Sequence, residues 1–168
     1  EKYNIYWFEE PVIPEDINSY LEVKDSLTMA IAAGECEFTQ YGFKELITRR
    51  AVDIAQADVS VSGGFTACKK IMSLARLYGV QVVPHIWGSA VAMYATLQFI
   101  ATIPDLPAAN TSLPGVNAPL FEYDQSENPL RENLAKMKFK IEKGYLSIPK
   151  KPGIGMEIDE SVFDKYVT

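Results

Sequence analysis

Four apolar runs in this chain end on an ionisable side chain, and they do so at nearly even intervals. They are Trp7-Phe8-Glu9, Ala32-Ala33-Gly34-Glu35, Ile54-Ala55-Gln56-Ala57-Asp58 and Val80-Gln81-Val82-Val83-Pro84-His85. The steps from Glu9 to Glu35 to Asp58 to His85 are 26, 23 and 27 residues. Such a step holds one strand and one helix that carries the chain back to the start of the next strand, so the period predicts successive βα units. Parallel strands place their carboxyl ends on one side of the sheet, and a polar group at each of those ends is the layout of a (β/α)8-barrel active site. The runs are apolar rather than alternating, as strands covered on both faces should be.

The segments between the runs fit that reading. Pro14-Glu15-Asp16 opens a helix, with acids suited to its first turn. Phe43 to Arg50 and Phe65 to Tyr78 are two more helices. The second of these spaces Cys68, Ile71, Leu74, Ala75 and Tyr78 as one apolar face, and Gly79 is a fitting C-cap. Gly88 to Ile103 is an apolar helix that stops at Pro104. Pro104 to Pro119 carries four prolines and reads as a loop. Leu120-Phe121-Glu122-Tyr123 is expected as a last strand, making five βα-type units before about residue 125. The chain therefore divides into a partial (β/α) barrel over 1–125, which carries the site residues, and a C-terminal segment over 126–168. In that segment Leu130 to Ile141 reads as helix then strand, Gly144 to Gly155 as an extended tail, and Asp159 to Tyr166 as a short helix.

Composition narrows the function classes. At 168 residues the chain can bury one sizeable core. With 22 acids against 16 bases it has a formal net charge of −6 and no basic stripe, which argues against nucleic acid as a partner. Cys36 and Cys68 form no CxxC and suggest no disulfide framework. No apolar stretch reaches membrane-spanning length and no signal peptide is recognisable, so a cytoplasmic protein without a membrane partner is expected. The first residues run almost straight into a strand with no initiator Met, so the sequence reads as part of a longer protein.

The strand-end residues suggest two kinds of chemistry. Glu9 and Glu35 supply hard oxygen ligands from neighbouring strands and suit Mg²⁺, which keeps near-octahedral geometry and retains water. Glu10, next to Glu9, competes for that role, but adjacent strand residues point to opposite faces and only one of them can face the metal. Asp58 and His85 form a candidate dyad. A carboxylate on one imidazole nitrogen fixes the tautomer and leaves the other nitrogen to carry a proton. His85 is the only histidine in the sequence. Glu122 is a candidate acid or hydrogen-bond donor at the last strand. Ser60, Ser62, Gly63 and Gly64 resemble a phosphate-binding turn before a helix, although the glycines are more simply a tight connection.

Taken as an ordered set, Trp7-Phe8-Glu9-Glu10-Pro11, Gly34-Glu35, Gln56-Ala57-Asp58, Ser62-Gly63-Gly64 and Pro84-His85 resemble the enolase superfamily, and within it the mandelate racemase-like subgroup. The resemblance runs to the tail Lys151-Pro152-Gly153-Ile154-Gly155. It implies the C-terminal part of a (β/α)8 barrel, about strands 4–8, with a tail that packs on a capping domain. Glu9 and Glu35 then resemble the second and third Mg²⁺ ligands, Asp58 and His85 the acid–base dyad, and Glu122 a carboxyl that hydrogen-bonds a substrate carboxylate. The implied reaction is proton abstraction next to a carboxylate, in dehydratases followed by loss of a β-hydroxyl to give a 2-keto-3-deoxy acid.

The expectation is thus a Mg²⁺-dependent sugar-acid dehydratase, a hydro-lyase acting on a small-molecule carboxylate. The resemblance also implies a homo-oligomer. The family's first metal ligand, its second-strand bases and most of its capping domain have no counterpart in the sequence, so residues 1–168 alone are expected to be inactive. A racemase or epimerase with the same dyad needs a second base and remains open. A muconate-cycloisomerase-like reading is weaker, because that branch has a lysine where this chain has Asp58. Outside these lie a non-catalytic half-barrel that needs a partner chain and a phosphate-binding barrel built on Ser62 to Gly64.

Overall fold

The computed structural model describes residues 2–3, 5–104, 119–163 and 165. Four strands and four helices alternate along its first part: β1 (Trp7–Glu9), α1 (Ile17–Ser26), β2 (Ala30–Ala33), α2 (Thr39–Thr48), β3 (Ile54–Ala55), α3 (Gly64–Tyr78), β4 (Gln81–Val82) and α4 (Ala90–Ile100). The strands form one parallel sheet in the order β1-β2-β3-β4. In register Trp7 lies beside Ala30, Ala32 beside Ile54, and Ile54 beside Gln81. Strand direction and order of connection match the βαβ period, since each helix returns the chain so that neighbours in sequence become neighbours in the sheet. Single ladder bonds continue past the named strands, from Glu10 N to Ala32 O (3.0 Å), from Gln56 N to Ala33 O (2.9 Å) and from Val83 N to Ala55 O (3.3 Å).

Alternation along the strands sorts the side chains into two layers. Ile31, Ala33, Ala55 and Val82 face the helices, where they join Tyr20, Phe43, Leu46, Ile47, Cys68, Ile71 and Ala75 in the main core. Fully burying one such Ile or Leu contributes about 1.5–3 kcal/mol. Ala30, Ala32, Ile54 and Val83 face the other way and pack with Tyr6, Trp7 and Leu120 in a smaller cluster. That second cluster is the filled interior expected of a barrel.

Local chemistry sets the helix ends. Asp16 is the N-cap of α1, its Oδ1 accepting from Ser19 N at 3.0 Å, so the acids expected within the first turn precede it. Gly79 closes α3 at φ 72°, a left-handed conformation that glycine adopts without a Cβ penalty. The expected face of α3 is present, with Cys68, Ile71 and Ala75 completely buried.

The structure departs from the sequence reading at the fifth unit. Residues 120–123 are irregular and pair with no strand, although Leu120 still packs on the interior cluster. The sheet therefore has four strands among the described residues. Pro119 lacks an N–H for a ladder, and most of the proline-rich loop before it, residues 105–118, lies outside the described residues. The C-terminal segment holds α5 (Pro129–Asn133), an antiparallel pair of β5 (Ile141–Glu142) and β6 (Tyr145–Leu146), and α6 (Glu160–Phe163). The expected tail is thus partly a hairpin. Leu134, Ala135, Phe139, Ile154 and Met156 pack on Ala90 and Tyr94 of α4. Tyr94 Oη donates to Met137 O at 2.9 Å, and Gln98 Nε2 donates to Pro149 O at 2.8 Å. No described helix is long and apolar enough to cross a membrane.

Candidate active site

The polar groups singled out in the sequence gather beyond the carboxyl ends of β1 to β4. Glu9 closes β1 on the interior side of the sheet. Its Oε2 accepts from Trp7 Nε1 at 2.9 Å, and Trp7 belongs to the interior cluster. Glu10 turns to the opposite face, where its Oε2 accepts from Tyr20 Oη of α1 at 2.8 Å. The alternation that left the two glutamates ambiguous thus sends Glu9 to the mouth and Glu10 to the helix layer.

Asp58 and His85 are in contact. His85 Nδ1 lies 3.0 Å from Asp58 Oδ2, and the Asp58 side chain is only 3% exposed. A tight turn fixes that carboxylate, since Oδ1 accepts from Ser60 N at 2.6 Å and the Asp58 carbonyl accepts from Ser62 N at 2.7 Å. The second imidazole nitrogen, Nε2, lies 3.2 Å from Glu35 Oε2. A carboxylate on each side suits the imidazolium, in which both nitrogens are donors. The His85 pKa is accordingly raised, first by the hydrogen bond to Asp58, with the charges of Glu122 and Glu35 adding to it against a lowering by burial.

Glu122 reaches the same mouth without a strand to carry it. Its Oε1 accepts from Gln56 Nε2 at 2.9 Å. Burial raises its pKa, the hydrogen bond from Gln56 opposes the shift, and the nearby Glu9 charge adds to it. Gln56 stands in the sequence reading only as part of the Gln56-Ala57-Asp58 motif, with no role of its own. It is 1% exposed, and its Oε1 has no hydrogen-bond partner among the described residues. The signal was available in the period-two pattern, because Ile54, Gln56 and Asp58 share the interior face.

The donor set fits a hard divalent cation. Glu9 and Glu35 are exposed carboxylates from adjacent strands. With Asp58 and Glu122 they leave four acids around a single base, His85, an excess that a cation offsets. Among the described residues no three His, Cys, Asp or Glu side chains are gathered as a ready metal cage. Two carboxylates with retained water match Mg²⁺ better than a transition metal. The glycine turn fits phosphate poorly, since Ser62 is fully buried and its Oγ donates to Glu37 O at 3.2 Å.

The family model described as enolase C-terminal domain-like matches residues 1–162. D-galactarolactone cycloisomerase of Agrobacterium fabrum is 35% identical over 98% of this chain and 42% of its own length. Arabinonate dehydratase of Saccharolobus solfataricus is 30% identical over 99% of this chain and 41% of its own length. The crystal structure of the 3,6-anhydro-D-galactonate cycloisomerase from Zobellia galactanivorans gives a TM-score of 0.86 at 39% identity, covering 98% of this chain and 43% of that one. The chain spans about two fifths of the length of the curated relatives it matches. Cycloisomerases stand beside dehydratases among them, which widens the expectation of a dehydratase.

Proposed function

The chain belongs to the enolase C-terminal domain-like family, and from that premise we propose that it supplies the acid–base half of an active site for sugar acids. The reaction is removal of the proton next to the substrate carboxylate, followed by loss of a β-hydroxyl as water. The observation that carries this reading is the Asp58–His85 pair at the strand ends, 3.0 Å apart, with the second imidazole nitrogen turned to the mouth.

The steps follow from the residues. Neutral His85, held by Asp58 through Nδ1–H, takes the α-proton at Nε2. The bonding pair of that C–H moves into the carboxylate and forms an enediolate. Glu9 and Glu35 would hold Mg²⁺, which supplies electrostatic stabilisation of the negative charge that develops on the substrate carboxylate. The enediolate then expels the β-hydroxyl, and the proton on His85 leaves with it as water. The remaining enol tautomerises to a 2-keto-3-deoxy acid. Glu122, whose pKa burial raises, would donate a hydrogen bond to a substrate carboxylate oxygen in its protonated form.

Cycloisomerisation of a cyclic sugar-acid derivative, a lactone or an anhydro sugar acid, is the second reading, supported by the cycloisomerases at 35% and 39% identity. It uses the same proton abstraction and differs in the group expelled. A racemase or epimerase with the same dyad would need a second base across the substrate.

The test is turnover of a panel of aldonates, aldarates and their lactones by the complete gene product, with Mg²⁺ and after chelation. Metal-dependent release of a 2-keto acid from at least one substrate supports the proposal. Turnover that survives chelation, or none on any member while an unrelated acid reacts, contradicts it.

A further inference from the structure

Glu10 is the residue of this region that the proposed chemistry leaves unused, and its conformation is unusual. It sits at φ 42°, a left-handed backbone, directly before Pro11. A non-glycine residue there is strained by roughly 1–3 kcal/mol and persists only when its surroundings hold it. A following proline narrows the choice further, toward extended backbone.

What holds it is a pair of hydrogen bonds on the helix side of the sheet. Glu10 Oε2 accepts from Tyr20 Oη at 2.8 Å, and Oε1 accepts from Gly34 N at 3.0 Å. Its own N–H makes the last ladder bond, to Ala32 O at 3.0 Å. Tyr20 is completely buried, and burial together with Glu10 raises its pKa, so it remains a donor. Gly34 is constrained as well. It has φ 138°, and a Cβ there would lie 2.6 Å from the Phe43 ring. The carboxylate of the residue that follows Glu9 is therefore bonded to the amide of the residue that precedes Glu35.

We infer that Glu10 is a positioning residue for the cation site, a clamp behind the sheet that fixes the strand ends carrying Glu9 and Glu35 relative to each other. The inference rests on the reading of those two glutamates as ligands. Groups behind a metal's own ligands typically change affinity by about 10–100-fold when removed. The clamp acts through geometry, so Glu10→Gln should preserve it. The side-chain carbonyl of that variant would still accept from Gly34 N–H. Its amide would donate to Tyr20, whose hydroxyl is 3.3 Å from Val12 O and could donate there.

The experiment is Mn²⁺ binding by the complete gene product, wild type against E10A, E10Q and Y20F, with amide hydrogen exchange of residues 34–36 in metal-free protein. E10A should weaken Mn²⁺ binding by about tenfold or more and speed exchange, whereas E10Q should stay within about threefold of wild type. Y20F, which keeps the bond to Gly34, should weaken binding by about threefold or more and decides the matter if E10A does not fold. Unchanged affinity in E10A or Y20F, or a loss in E10Q equal to that in E10A, would overturn the clamp. Failure of the wild type to bind Mn²⁺ would instead defeat the reading of Glu9 and Glu35, and the exchange data would still report whether Glu10 orders Gly34.

Discussion

Glu35 Oε2 lies 3.2 Å from His85 Nε2, on the nitrogen that Asp58 leaves free. The two residues close β2 and β4, which are not neighbours in the sheet. A carboxylate assigned to the cation and an imidazole assigned to the proton thus meet across the mouth. Under the proposed assignment, metal and proton chemistry would share one space.

Asp58→Asn should expose the part that the carboxylate plays. The hydrogen bond to Asp58 is the largest cause of the raised His85 pKa. A base must be neutral to act, so a raised pKa moves the rising limb of the kcat/KM profile to higher pH. Asp58→Asn should therefore move that limb to lower pH while lowering the plateau by about 10²–10⁴-fold. A pH–rate profile of the variant checks both, and a limb that stays in place would remove Asp58 from this role.

Glu122→Gln should separate stability from activity. Burial raises the Glu122 pKa above its unfolded value, so its ionised form is disfavoured in the folded state. The stability linked to the protonated form is present below the unfolded pKa and lost as pH rises through the folded pKa. At neutral pH the neutral amide should then melt no lower than wild type, and below the carboxyl range the gap should close. Activity should fall, because the amide that takes its place is a weaker hydrogen-bond donor than a protonated carboxyl. Melting curves at neutral and acid pH, beside turnover, test the split.

Gly34→Ala should disturb the turn that carries Glu35. The added Cβ would lie 2.6 Å from Phe43 Cε1 and would occupy φ 138°. Overpacking of this kind costs about 1–3 kcal/mol, read as a fall in denaturation midpoint, and divalent affinity should fall with it. An alanine variant as stable as wild type would show that the ring gives way freely.

Much of this was legible in the residue order. The even spacing of Glu9, Glu35, Asp58 and His85 was enough to read parallel βα units, because strand length and helix return are set by geometry. Asp58 and His85 each follow the end of one of two adjacent strands, β3 and β4, and their contact followed from that. The Glu35–His85 contact did not, since it depends on how the glycine turn at Gly34 bends the chain. The choice between Glu9 and Glu10 turned on one residue of register, which local sequence does not set. Glu122 was assigned through a strand that does not form, yet its carboxylate meets Gln56. Gln56 has no role of its own in the sequence reading, because an uncharged amide in an apolar run carries no sign of its partner.

The most direct test of the central claim is exchange of the substrate α-proton with solvent deuterium in His85→Asn of the complete gene product, measured with Mn²⁺ binding on the same sample. The account predicts that exchange is lost, by at least about 10²-fold, while Mn²⁺ still binds through Glu9 and Glu35. Exchange at the wild-type rate in that variant would contradict it.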